Sequence, residues 1–395
     1  MARIVIAPDS FKGTLDAASA AASLAAGWTS VRPDDELELL PQADGGEGTL
    51  DAIAAATPGA RRRDAGLVTG PHGRPVRAHW LSLPGGTAVV ELAVSSGLTL
   101  MPKLDARGAT TRGLGEVIRM AVADGATGLV IATGGSASTD GGTGALTALG
   151  ARFLTAGGDE LPSGGGALAD LAAIDLSGLV AVPPARVLSD VTAPLTGPTG
   201  AAAVFGPQKG ATPEDVGALD AALTRFAEVA RPLVERGLHA RTQADRGAER
   251  LPSVDAPIVD ATTPGGGSAG GTGFGLAAFL GASIQPGAAA IADLTGLTAA
   301  LDAVDLVVTG EGRYDSQSST GKVVGHAIAA TRAAGRRIAV VCGAIGPDAA
   351  LDPRGGGPDE LLALADLAGG AEHAIADPAR WLREAGARLA TAFSA

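Results

Sequence analysis

At 395 residues the chain is long for one core, and two α/β domains are the natural expectation. Hydrophobic residues make up 46% and charged residues 18%, but aromatics only 3%, so the core must be built from Ala, Val, Leu and Ile. The net charge is −12 with no basic run beyond Arg61-Arg62-Arg63, so a basic, aromatic-rich nucleic-acid face is excluded, while a small anionic substrate in a local basic pocket is not.

In chain order, Arg3–Ala7 reads as a buried strand, followed by the loop Pro8-Asp9-Ser10-Phe11-Lys12-Gly13 and a helix over Thr14–Trp28, capped by Thr14. Glu36–Leu40 is a second strand, which empties into Gln42-Ala-Asp44-Gly-Gly-Glu47-Gly-Thr49 and a helix to about Ala56. Strand, glycine loop and helix repeated twice is the signature of a parallel sheet. The next runs, Arg63–Thr69, Val76–Leu83 and Thr87–Leu92, are separated by turn signals and predict a meander. Leu114, Val117, Ile118, Ala121 and Val122 recur with helical spacing. Gly128–Ala132 is a strand leading into a Gly/Ser/Thr-rich loop and a helix to Gly150, and Val187–Val191 is a strand ending at Asp190. Thr212, Pro213, Glu214 and Asp215 open a helix as N-cap, N1 and an acidic first turn. Arg236–Leu251 is charged and irregular, and Pro264–Gly275 opens an Ala/Leu/Phe helix to Leu280. The strand Asp305–Val308 is predicted to end in a glycine-rich loop, Thr309–Lys322, before a helix over Val323–Ala334. A strand Arg337–Cys342, a Pro/Gly-rich loop over Pro347–Pro358 and a helix from Pro378 complete the chain.

Similar βα units at both ends predict a discontinuous Rossmann-like domain, residues 1–70 plus 290–395. The middle, 71–289, is then an inserted α/β domain with a mixed sheet, and the loops collect in a cleft between the two. The single cysteine, Cys342, rules out an intrachain disulfide and a Cys-cluster metal site. Neither a signal peptide nor an apolar run of about 20 residues is legible, so a cytoplasmic protein is expected. No Walker A motif is present, because Gly321-Lys322 is followed by Val323 and no glycine stands five residues earlier; HExxH is also absent.

The 59 glycines cluster beside Asp, Ser, Thr and Lys, as in loops whose backbone approaches a ligand closely. In Thr309–Lys322 the acids Glu311 and Asp315 suit a metal, and the bases Arg313 and Lys322 suit phosphate. Asp9, Ser10 and Lys12 sit just past a strand end, where Lys12 either holds a substrate anion or is a surface lysine. Asp44 and Glu47 read as helix caps or as part of a ligand-facing loop. Ser136, Ser138 and Asp140 offer hydroxyls and an acid to phosphate or sugar-acid oxygens, or else form a serine-rich turn. The Asp190 carboxylate suits a base that accepts a hydroxyl proton, or an Asx-turn; Lys209 is a phosphate clamp or solvated. Gly265-x-Gly267-x-x-Gly270 matches the dinucleotide fingerprint after a weak strand, and with Gly266 reads as a helix start able to bind phosphate.

Taken in order, APDSFKGTL, PQADGGEGT, GGSASTDGG, SDVTAPLTGPTGA, VFGPQKGA, PGGGSAGGTGFGLAAFLGA and TGEGRYDSQSSTGK closely resemble the type I glycerate kinase family, from residue 4 to about 345. The resemblance implies two α/β domains around a cleft, unrelated to P-loop kinases. It also implies transfer of the γ-phosphoryl group of ATP, with Mg2+, to D-glycerate, typically giving 2-phosphoglycerate, by a monomer or homodimer that binds neither nucleic acid nor membrane. Thr139, Ala193 and Thr320 stand where the family usually has Asn, Asn and His, and bear on substrate contacts. On this reading Asp190 is the base, Lys12 assists catalysis, and Glu311 and Asp315 meet Mg2+. Two rivals are an NAD-dependent oxidoreductase resting on the Gly265 fingerprint and a non-catalytic sugar-acid-binding protein. Retention of the charged motif residues argues against the second. Asp190→Asn is expected to lower kcat far more than it raises KM in steady-state kinetics; a near-normal kcat would remove Asp190 from the role of base.

Overall fold

In the computed structural model, residues 1–237, 259–319, 322–349 and 357–393 are described. Residues 238–251 of the charged connection, Thr320, and residues 350–356 of the Pro/Gly-rich loop lie outside the described residues. The strands are β1 (Arg3–Ile6), β2 (Glu36–Leu39), β3 (Arg61–Thr69), β4 (Pro75–Ser82), β5 (Thr87–Glu91), β6 (Gly128–Ala132), β7 (Arg152–Leu154), β8 (Ala173–Asp175), β9 (Ala185–Leu188), β10 (Ser283–Gln285), β11 (Leu306–Tyr314), β12 (Arg337–Ile345) and β13 (Glu360–Ala363). They fall into two compact units, one of Met1–Asp44, Asp51–Pro58 and Pro286–Ala395, the other of Gly45–Leu50 and Gly59–Gln285.

The first unit holds a five-stranded sheet in the order β13-β12-β11-β1-β2, parallel throughout. Side chains alternate across it, as the period of two in a strand requires. Ile4, Ile6, Val308 and Val341 point to one face, where they pack with Leu24 and Trp28 of the helix Ala17–Val31 and with Leu382 and Leu389 of the helix Pro378–Ala392. Val5, Val307 and Val340 point to the other, against Leu297, Val324 and Ile328. Both faces are covered, so the central strands β1, β11 and β12 carry apolar runs, whereas the edge strand β2 alternates Glu and Leu.

The second unit holds a six-stranded mixed sheet, β10-β9-β6-β5-β4-β3, in which β3, β4 and β5 pair antiparallel and the rest parallel. The predicted meander is therefore present. Because β3 hydrogen-bonds along β4, residues 61–69, expected in the first domain, lie in this second sheet. A small antiparallel pair, β7-β8, and the short strands β10 and β13 had no legible signal, since each is only three or four residues long.

Two local expectations need correction. The first helix is capped by Asp16, whose Oδ1 accepts from the Ser19 N–H at 2.8 Å; Thr14 instead donates to the Phe11 carbonyl within a turn. The stretch from Thr309 is no loop at its start, because β11 runs on to Tyr314, paired with β12 as far as Ile345. Gly310 in it, and Gly343 of β12, serve close strand packing. A Cβ at Gly310 would stand 2.2 Å from the Val341 carbonyl oxygen, and one at Gly343 would stand 2.4 Å from that of Gly312. By contrast, the helix Pro213–Glu235 starts as predicted, with a capping box between Thr212 and Asp215.

Gly310→Ala must push backbone apart, and is expected to destabilise the protein by about 2–3 kcal/mol. Urea denaturation would show this as a lower midpoint at unchanged slope.

Candidate functional site

Ligands of parallel sheets collect beyond the carboxyl ends of the strands, and the first unit carries a cavity of 410 Å³ there. Backbone hydrogen bonds hold the loop after β1 against β11: Ala7 N–H to Val308 O at 2.7 Å and Asp9 N–H to Gly310 O at 2.8 Å. The loop then folds back through reciprocal bonds between Phe11 and Leu15, with Gly13 at φ +80° in the turn. The Gln42 N–H donates to the Pro8 carbonyl, which brings the segment after β2 alongside. The loops contribute Asp9, Ser10, Lys12 and Asp44 to the cavity wall, and the extended β11 with the residues after it contributes Glu311, Arg313, Asp315 and Lys322. Half of the predicted site is thus brought together within one unit, from segments some 300 residues apart in sequence.

Acid outweighs base in this wall. Asp9 is half-buried, and its carboxyl is pushed up to about 7, first by burial and then by the Asp44 charge; the Ser10 N–H, 2.6 Å away, and Lys12 oppose the rise, and Glu311 adds to it. Glu311 is also raised, chiefly by burial, against the pull of Ser318 and Lys322. Its Oε1 is buried with no hydrogen-bond partner among the described residues. The cations are looser: Lys12 Nζ lies 3.9 Å from Asp44 Oδ2 with a side chain 76% exposed, and Arg313 Nε lies 3.4 Å from Asp315 Oδ2 with 65% exposed. Pairs as exposed as these contribute little to stability, so they leave the cations available to a ligand. Among the described residues no three His, Cys, Asp or Glu side chains form a protein-only metal cage. Cys342 is fully buried and its thiol is pushed up to about 12 by burial, which leaves it no nucleophilic character near neutral pH.

The remaining predicted residues lie in the second unit, where most are engaged by the chain itself. Asp140 is fully buried; its Oδ2 accepts from the Thr111 N–H and hydroxyl, both at 2.8 Å, and from Gly144 N–H at 3.2 Å, while Oδ1 accepts from Gly142 N–H at 3.1 Å. It thereby ties together the starts of the helices Arg112–Ala123 and Thr143–Ala148. Lys209, only 2% exposed, donates to the Ser138 carbonyl, and burial lowers its ammonium to about 7 against the attraction of Asp140. The hydroxyls of Ser136 and Ser138 lie 3.2 Å apart, both buried. The N–H groups of Gly266 and Gly267 donate to Thr263 O and Ala193 O, and a Cβ at Gly267 would stand 2.2 Å from Pro194 O. Those glycines permit a close backbone approach, and residues 259–267 ahead of the helix Ser268–Leu280 form no strand. Asp190 is half-buried two residues beyond β9.

Glu47 is exposed and does not cap the helix Thr49–Ala56. That position is taken by Glu91, 4% exposed at the end of β5, which accepts from Gly48 N–H at 3.2 Å and Leu50 N–H at 3.0 Å. Glu91 escaped the sequence reading, although a charged residue closing the apolar run Thr87–Val90 was the available signal. Ser318 also escaped it: its hydroxyl receives the Asp315 N–H at 3.0 Å and so shapes the acidic turn.

No helix among the described residues is long and apolar enough to cross a membrane. The model of the glycerate kinase family matches residues 4–394. Glycerate 2-kinase of Escherichia coli K12 is 41% identical over 327 residues, 81% of this chain and 80% of that protein. Glycerate kinase of Bacillus subtilis 168 is likewise 41% identical over 327 residues, 81% and 79% of the two chains. A crystal structure from Salmonella typhimurium LT2, of a protein provisionally assigned as glycerate kinase 2, superposes with a TM-score of 0.81 at 37% identity, covering 99% of this chain and 97% of that one.

The Asp9 carboxyl provides a pH test. Its folded value of about 7 lies above the ordinary 3.8, so between those values the folded chain holds a proton that the unfolded chain releases. Stability from this group is therefore full below about pH 4 and lost as pH rises through 7. Asp9→Asn should match the wild-type Tm near pH 4 and exceed it by about 2–4 °C at pH 8, measured by calorimetry.

Proposed function

The chain belongs to the glycerate kinase family, phosphotransferases with an alcohol group as acceptor, and from this we propose that it transfers the γ-phosphoryl group of ATP to D-glycerate. The product we infer is 2-phosphoglycerate, in keeping with the name of the Escherichia coli relative. In this step the bond from the γ-phosphorus to the bridging oxygen of ATP breaks. A bond from that phosphorus to the glycerate hydroxyl oxygen forms, the hydroxyl proton leaves to a carboxylate, and ADP departs.

The observation that carries the reading is the cavity wall itself. Asp9, Asp44, Glu311 and Asp315 share one small volume with Lys12, Arg313 and Lys322. Asp9 is raised by burial and then by repulsion from Asp44, and Glu311 Oε1 is unsatisfied; a cation brought in with phosphates would relieve both the repulsion and the unsatisfied oxygen. This donor set of hard oxygens fits Mg2+, which takes one or two protein carboxylates and completes its shell with water and phosphate oxygens. Glu311 and Asp315 are our choice of carboxylates. When bound, the ion would neutralise charge on the transferring phosphoryl group. Lys12 and Lys322 would meet phosphate oxygens as point charges, and Asp190 is our candidate for the group that accepts the hydroxyl proton.

A coupled ADP-release assay tests this reading. Turnover with D-glycerate is expected to exceed that with related hydroxy acids, to vanish on chelation of Mg2+, and to yield 2-phosphoglycerate by NMR of the product. Absence of ADP release with every acid tried would refute it.

A further inference from the structure

The cavity that holds the charged residues has a second character. Part of its lining is apolar: Phe11, Leu364, Ala371, Ala374, Ile375 and Pro378. Phe11, Leu364 and Ala374 belong to the hydrophobic cluster on one face of the parallel sheet, so this lining is continuous with packed core. The other three extend it outward along the short helix Ala371–Ala376 and the start of the helix Pro378–Ala392. Ile375 is 62% exposed at this rim. None of these six side chains carries a hydrogen-bonding group.

Neither a polyphosphate nor glycerate has an apolar surface to place there, since every carbon of glycerate bears oxygen. A nucleotide does, because its base has two flat, poorly hydrated faces. Small-molecule pockets commonly combine such an apolar lining with a few convergent polar groups. We propose that this apolar wall is the nucleoside subsite, which receives the base of the phosphoryl donor and selects it by burial of a flat ring rather than by side-chain hydrogen bonds. The proposal rests on the kinase reading above and adds to it where the donor lies and how it is chosen. A site built to hydrogen-bond a group rejects analogues by about 10⁴-fold or more, whereas an apolar pocket discriminates by only about 10–200-fold. ATP and GTP should therefore differ in kcat/KM by less than about 100-fold.

The experiment uses the full chain with Ile375→Glu and Ala371→Glu, both at exposed positions, with Tm measured to verify folding. In calorimetric titrations, ADP should bind each variant about tenfold or more weakly than it binds the wild type. Inorganic tripolyphosphate, which lacks a base, should bind wild type and variants within about twofold. KM for ATP should rise with the Kd for ADP, while KM for glycerate stays within about twofold. Unchanged ADP affinity in both folded variants, or kcat/KM values for ATP and GTP that differ by more than about 100-fold, overturns the proposal but leaves the kinase reading intact. A wild-type protein that binds no ADP and releases none from ATP removes both.

Discussion

The close pairing of β11 with β12 is the contact on which the candidate site depends. At Gly310 and Gly343 a Cβ would collide with the carbonyl of the opposite strand, so glycine at these two positions permits the pairing to continue. The pairing carries β11 past the point where its apolar run ends, as far as Tyr314. Glu311 and Arg313 are consequently presented from a hydrogen-bonded strand, with less freedom than a loop would allow them. Tyr314, fully buried, anchors the end of the extension in the core on one face of the sheet. The loop after β1 is then bonded onto β11 through Asp9 and Ala7, so the two halves of the cavity wall are held in one framework.

On this framework the wall concentrates negative charge. Burial, with mutual repulsion, raises Asp9 and Glu311 above their ordinary titration ranges, and Lys12 and Lys322 oppose the rise only in part. Such an arrangement is costly for the isolated fold, and on the proposed reading a cation and phosphates would offset that cost. The apolar part of the same cavity follows from the core cluster continuing out to the rim.

The second unit uses its polar residues differently. Asp140 joins two helix starts, Glu91 caps a third, and Lys209 supports the turn around Ser138. Its glycines permit loops to lie on one another: a Cβ at Gly134 would stand 2.4 Å from Gly46 Cα, and one at Gly270 would stand 2.1 Å from Ser138 O. A chain with few aromatics can pack its backbone this closely, and buried carboxylates satisfied by N–H groups then take the place of bulky side chains in fixing loop geometry.

Much of this was legible in the sequence, because it depends on local physics. Apolar runs of strand length, helical spacing, capping residues and turn signals are set by neighbours a few residues apart, and they identified both sheets, the meander and the N-cap at Thr212. The order of the charged glycine-rich motifs carried the family. What depends on distant partners was not legible. Nothing near Gly310 or Gly343 says that a strand will lie against each, so glycine read as loop where it meant close packing. Asp44 and Asp140 share the pattern Asp-Gly-Gly-x-Gly, yet one lines the cavity and the other is fully buried under four hydrogen bonds. Only the tertiary structure decides which carboxylate is enclosed and which faces the cavity, because that is fixed by which N–H groups the fold brings within 3 Å or so of it.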